Sequence, residues 1–237
     1  RPYRNAAGGE ELRDTLCRES VTYTVRRNNI EVAASHRFCN AAPVTIAIYY
    51  GMQSMFEGET HVLTPGGAYT DWTEAAKAST FTKQEYPLFR RYVEKNRQGY
   101  QSTWLLPDGL GDHALLDGQD DIFIYAPYGK SYHKLIGNKR MENGDKTCWR
   151  GVYTWFETPV ADDADLLCYE GSAGGHTAVF IDCKRACKRT LALPGYLDLR
   201  HFGTAEQNGG IRISAAGRNK LKIKADAPGS CVLLLRE

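Results

Sequence analysis

The stretch VTYTVRRNNIEVAASHRFCNAAPVTIAIYYGMQSMF, Val21 to Phe56, decides what fold this chain is expected to take. Two runs alternate apolar and polar residues, are separated by Asn40-Ala41-Ala42-Pro43, and lead into Tyr49-Tyr50-Gly51-Met52-Gln53. A period of two sends successive side chains to opposite faces, so each run reads as a half-buried β-strand. The second run loses its alternation and ends in a glycine shortly followed by Gln53. That is the pattern of a strand entering a core and delivering a polar group to a concave face. A β-rich scaffold with a small-molecule cleft is expected.

Outward from this stretch the same signal recurs at 59–63, 101–106, 121–126, 151–156, 165–169, 176–182, 189–193, 210–214, 220–224 and 230–235. Asn28-Asn29, Pro65-Gly66-Gly67, Pro107-Asp108-Gly109, Asn208-Gly209-Gly210 and Pro228-Gly229 supply turn residues that tolerate positive φ or preset φ. The expected class is all-β, a large antiparallel β-sandwich (supersandwich) with few short helices. Residues 1–20 read as a polar extension with a short surface helix between Glu10 and Glu19, and 21–237 as a single sandwich domain. Thr70 to Tyr92 fits neither period and is expected to be a long aromatic loop with one helical turn.

The chain has 237 residues, 42% of them apolar and 11% aromatic, enough to bury one large core. Its 30 basic and 28 acidic residues nearly balance and are scattered. That argues for no nucleic acid partner, because a phosphate backbone selects a basic stripe. No apolar run approaches the about 20 residues a spanning helix requires, so no membrane partner and a soluble protein are expected. The chain starts at Arg1 rather than Met, so the lack of a leader leaves localisation unknown. The seven cysteines lack C-x-x-C spacing, and several lie inside apolar runs, as reduced, buried thiols do. Cys183 and Cys187 fall in a basic segment without a nearby histidine, which suits a surface hairpin turn better than zinc.

Two blocks carry the chemistry-bearing residues. In Asp121 to Lys134, Ile122 and Ile124 share one face and Phe123 and Tyr125 the other. Pro127 and Gly129 then turn the chain and expose Tyr128, Lys130, Tyr132 and His133. Aromatic rings beside hydrogen-bonding tips suit a sugar, which has an apolar C–H face and a hydroxyl edge. In the second block, Val152, Thr154 and Phe156 share one face and Tyr153, Trp155 and Glu157 the other. Glu157 beside Trp155 is expected to be partly desolvated and so suited to general-base work. No H-E-x-x-H, G-x-S-x-G or phosphate-loop signature occurs, so no cofactor and no metal is called for. A metal-dependent hydrolase drawing on His113, Asp121, His133 and His176 lacks ligand spacing. The glycine-rich run Gly171 to Gly175 reads as a hairpin turn leading into a strand at His176.

The segment from Val21 to Phe56, with its Asn28-Asn29 and Asn40-Ala41-Ala42-Pro43-Val44 turns, resembles the galactose mutarotase-like superfamily of β-supersandwiches. Tyr153-Thr154-Trp155-Phe156-Glu157-Thr158-Pro159 is similar to a late strand of its aldose 1-epimerases that ends in a Glu-Thr pair. The resemblance implies a sugar held on a concave sheet. Where an epimerase has a His-x-Tyr-Phe-Asn signature this chain has Tyr49-Tyr50-Gly51-Met52-Gln53, and His36-Arg37-Phe38-Cys39-Asn40 mimics it one strand earlier. The expected function is therefore a carbohydrate-binding or carbohydrate-active protein taking a small-molecule or oligosaccharide ligand. If it is an enzyme, epimerase, lyase or hydrolase activity is expected, with Gln53, His133 and Glu157 as catalytic groups. Tyr50, Tyr128, Tyr132 and Trp155 form the expected sugar platform. The alternative is a non-catalytic structural or interaction domain of a larger assembly, for which a homodimer is the natural state.

Overall fold

The computed structural model describes residues 3–4, 11–12, 15–55, 60–63, 69–71, 90–95, 99–106, 122–125, 130–207 and 209–235. Its strands are β1 (Tyr3–Arg4), β2 (Glu11–Leu12), β3 (Cys17–Arg26), β4 (Asn29–Phe38), β5 (Val44–Met55), β6 (Thr60–Leu63), β7 (Tyr69–Asp71), β8 (Arg90–Lys95), β9 (Tyr100–Leu105) and β10 (Ile122–Tyr125). They continue with β11 (Lys130–Met141), β12 (Lys146–Phe156), β13 (Ala161–Asp162), β14 (Leu166–Ala173), β15 (His176–Cys183), β16 (Cys187–Ala192), β17 (Phe202–Gln207), β18 (Arg212–Gly217), β19 (Lys220–Ala225) and β20 (Gly229–Leu235). A 3-10 turn at Leu199–His201 precedes β17. The fold is all-β and its strand pairs are antiparallel, as expected from the sequence.

Four layers stack on one another. A central sheet of order β3-β4-β12-β9-β8-β6-β7 is covered on one face by β10-β11-β5 and on the other by β13-β14-β15-β20-β17, whose far face carries β16-β19-β18. Val32, Ala34, Leu105 and Trp149 meet Met52 and Leu135 in the first interlayer core. Trp104 and Val152 meet Tyr169, Phe180 and Val232 in the second, and Cys168, Ile181 and Leu233 meet Leu221 and Ile223 in the third. This stacking explains the two strand patterns in the sequence. Ala178 to Ile181 and Cys231 to Leu233 are unbroken apolar runs because both of their faces are covered, whereas Lys220–Ala225 alternates exposed with buried because it lies outermost. Each large side chain fully buried this way stabilises the fold by roughly 1.5–3 kcal/mol.

Four ring planes bind the second core together. Tyr100, Phe156, Tyr169 and Phe180 stack with successive centroid distances of 4.8, 4.3 and 4.9 Å, and Trp104 meets Phe180 edge-on. The Tyr169 hydroxyl donates to Ser102 Oγ at 2.7 Å, so the buried phenol is satisfied.

Several sequence expectations are corrected here. No described residue between Glu10 and Glu19 is helical: β2 occupies 11–12, and β3 begins at Cys17 and so takes the last four residues of the span read as an extension. Residues 130–134 do not form an exposed turn but open the twelve-residue strand β11, which pairs with β5. Alternation had hidden it, because two bulges break its period. Strands β1, β2, β7, β8, β13 and β17 were not anticipated; β7 and β8 supply the described parts of the presumed loop, and its remainder lies outside the described residues.

Candidate binding cleft

At one end of the sandwich the central sheet and the five-stranded sheet part around a cleft of about 890 Å³. Its walls come from four places: the β3–β4 turn with Arg26, Arg27 and Asn29, the end of β12 with Phe156 and Thr158, the β14–β15 hairpin with Glu170, Ser172 and His176, and the segment after β16 with Pro194 and Tyr196. Local chemistry sets each wall. The β3–β4 turn is Arg27-Asn28, one residue earlier than Asn28-Asn29, with Arg27 at φ +49. The β14–β15 turn is Gly174-Gly175 at φ +58 and +90, the paired positive values that a tight hairpin requires and that glycine adopts without a Cβ clash.

Asn29, 3% exposed, holds the walls in register. Its Oδ1 accepts from Thr154 Oγ1 at 2.7 Å and from the Ser172 N–H at 3.1 Å, while its Nδ2 donates to Asn28 Oδ1 at 2.7 Å. One side chain thereby joins β4, β12 and β14 across two layers. Gly171 is needed beside it, since a Cβ there would stand 2.9 Å from Asn29 Oδ1 and 2.9 Å from Phe180 Cε2.

The polar surface of the cleft is formed by Glu170, Tyr196, Arg26, Arg27 and His176. The Tyr196 hydroxyl donates to Glu170 Oε2, and Arg27 Nη1 lies 3.8 Å from Glu170 Oε1. The hydrogen bond to Glu170 comes first among the causes that raise the Tyr196 phenol above its ordinary value, followed by burial and the carboxylate's charge, with Arg27 opposing. Tyr196 is therefore a proton donor at neutral pH, with its ring 68% exposed and available for stacking.

The residues singled out from sequence lie elsewhere. His133 is 0% exposed, and its Nδ1 lies 3.0 Å from the Met52 carbonyl, so the expected exposed acid-base histidine is an interior group. Between the pairs Ser131–Ser54 and His133–Gly51, β5 advances by three residues and β11 by two, a bulge that puts Met52 at φ +47 and leaves Gln53 exposed. Gly51 permits the close approach, since a Cβ there would stand 2.6 Å from Leu135 Cδ1. Tyr50, next to Gly51 on β5, pairs with Lys134 of β11 and is 37% exposed, and Tyr132 occupies the β11 position facing the bulge. Tyr128 lies outside the described residues.

Trp155, 40% exposed, stacks on Tyr153 at 6.0 Å, and the Tyr153 hydroxyl donates to the Gln53 carbonyl at 3.3 Å. Trp155 and Gln53 thus share a neighbourhood through Tyr153, whose phenol burial pushes well above its ordinary range. Glu157 lies one residue past β12 and is exposed, so the desolvation expected for a general base is absent. Gln53, His133 and Glu157 do not meet as a proton-transfer set: one is exposed on β5, one is interior, and one is at the sandwich end.

His36 is also structural. Its Nδ1 meets Thr147 Oγ1 and its Nε2 meets Glu19 Oε1, both at 2.9 Å, and Tyr49 packs edge-on against its ring. Among the described residues, no three His, Cys, Asp or Glu side chains gather as a metal would require, and no helix is long and apolar enough to cross a membrane. His113 and Asp121 lie outside the described residues. Sequence reasoning missed the cleft because its walls come from four separate turns. The available signals were Arg26-Arg27 beside a hairpin turn, the Gly174-Gly175-His176 run, and Pro194-Gly195-Tyr196 after a strand.

No protein-family model, curated protein or solved structure matches this chain.

Proposed function

We propose that this chain binds carbohydrate in the cleft at the end of its sandwich. The observation that carries this is the Tyr196–Glu170–Arg27 set, an exposed aromatic ring whose phenol is tied to a carboxylate and a guanidinium within about 890 Å³ of open volume. A pyranose needs such a surface: a flat apolar face for its C–H side and alternating donors and acceptors for its hydroxyls. The resemblance to mutarotase-like sandwiches supports the same class of ligand. Binding is favoured over turnover because Tyr196 retains its proton and Glu170 is already engaged by two neighbours, which leaves neither free to take a proton from a sugar carbon.

A thermal-shift screen of neutral mono- and oligosaccharides at about 10 mM tests this, since a ligand bound only by the native state raises the melting temperature. Tyr196→Ala is expected to abolish the shift. A flat panel ends the proposal at that affinity, and a shift lost in Trp155→Ala but kept in Tyr196→Ala moves the sugar to the β12 face.

A second function, as a structural or interaction domain, is favoured by β3. Among the described residues it is the edge strand of the central sheet, and Tyr23 and Val25 on it are each 67% exposed. An open edge carrying apolar side chains is a template for another strand, most simply that of a second copy.

A further inference from the structure

Resting on the saccharide assignment of the cleft, we propose that its Arg26 side is a subsite for an anionic substituent on the sugar, a carboxylate or a sulfate ester. Of the other arginines with described side chains, Arg140, Arg150, Arg185, Arg189, Arg200, Arg212 and Arg218 each lie within ion-pair distance of an Asp or Glu, and Arg18 and Arg37, which form no such pair among the described residues, face each other at the opposite end of the β3–β4 hairpin, away from the cleft. Arg27 is matched with Glu170. Arg26 has no carboxylate partner among the described residues, although it lines the cleft.

The acidic groups nearby are already engaged. Glu170 is held by Arg27 and Tyr196, and Glu31 by Arg150 and the Gly174 N–H at 2.8 Å each. The Arg26 guanidinium lies over the β14–β15 turn, with Nη1 3.2 Å and Nη2 3.4 Å from where a Cβ on Gly175 would stand. Glycine at that position keeps the planar fork uncovered, and His176, exposed and also lining the cleft, is the next residue. A guanidinium fork presents parallel N–H donors that match two oxygens of a carboxylate or sulfate, a geometry a point charge lacks. The unmatched charge thus sits beside the aromatic and hydroxyl-binding surface, where a charged substituent of a bound sugar would reach it.

Titration calorimetry on the intact chain tests this with glucose, galactose and mannose, each against its uronate and its 6-sulfate. The acidic member of a pair is expected to bind about tenfold tighter than the neutral one, the scale of one charge-assisted hydrogen-bond pair. That gain is expected to vanish in Arg26→Gln, return in part in Arg26→Lys, and shrink as salt rises from about 0.05 M to about 0.5 M. The readout is the ratio of acidic to neutral affinity within each variant, so a change in neutral-sugar affinity common to both members of a pair cancels. A gain confined to the uronates or to the sulfates identifies which anion the subsite takes. Equal affinity for neutral and acidic members, or a gain that survives Arg26→Gln, overturns the subsite and leaves the saccharide assignment standing. If neither these sugars nor neutral oligosaccharides bind, both fall together.

Discussion

Asn29 shows how much of this fold rests on single polar side chains. Its amide oxygen serves Thr154 and Ser172 inside the sandwich, where water cannot substitute for a lost acceptor. Asn29→Ala is therefore expected to lower unfolding free energy by about 1–3 kcal/mol in urea titrations, and to loosen the cleft walls it joins. A loss below about 0.5 kcal/mol, the range of an ordinary surface change, would show that the hub is dispensable. Asn29→Asp, which keeps the acceptor and loses the amide donor, is expected to fall between the two. All seven cysteines carry free thiols, with Cys168, Cys183 and Cys231 buried as the apolar runs implied. The presumed surface turn at Cys183 and Cys187 is half correct: Lys184 to Ala186 connect the strands, but Cys183 is interior and its Sγ lies 3.9 Å from that of Cys187.

Among the elements, β5 and β3 differ most from what periodicity suggests. The glycine at 51 was legible as a break in alternation, and the structure gives its cause, a bulge that lets β5 bury both Gly51 and Met52 before turning Gln53 outward. From sequence the same signal read as delivery of Gln53 into a cleft, because a period-two count cannot tell which side of a bulged strand is covered. The sequence of β3 alternates, but its burial does not: Val21 is partly covered, while the layer over its neighbours leaves Tyr23 and Val25 exposed. If that edge serves association, light scattering is expected to show a mass rising toward twice that of the chain as concentration increases. The double substitution Tyr23→Lys with Val25→Lys is expected to return the monomer without lowering the melting temperature, since both side chains are exposed. A monomer at every concentration would remove the interaction function.

For the molecule as a whole, the outer acidic groups set how stability depends on pH. Asp165, Asp198 and Asp226 are held below the usual carboxylate range by the guanidiniums of Arg185 and Arg189, of Arg200, and of Arg212 respectively. At Asp163 burial pushes upward but is outweighed by the N–H groups of Asp165 and Leu166 and by Arg189. A carboxylate with a lower pKa folded than unfolded stabilises the native state above the unfolded value, and that contribution is lost as pH falls through the folded one. The melting temperature is thus expected to be level above about pH 5 and to drop progressively below about pH 4, less steeply in high salt. A midpoint unchanged down to pH 3 would mean these surface pairs contribute nothing to folding.

By itself the sequence determined the secondary structure of most strands, the all-β class, the faces of β12 and the burial of the core cysteines, because each follows from local alternation and turn chemistry. Val152 and Thr154 are interior while Tyr153 and Trp155 stack on the opposite face, as the period required. Only the tertiary structure decided the order of strands in four layers, the interior place of His133, and the gathering of Arg26, Glu170, His176 and Tyr196 around one opening. Those outcomes depend on contacts between residues far apart in the chain and on which faces neighbouring sheets cover, which no local period encodes.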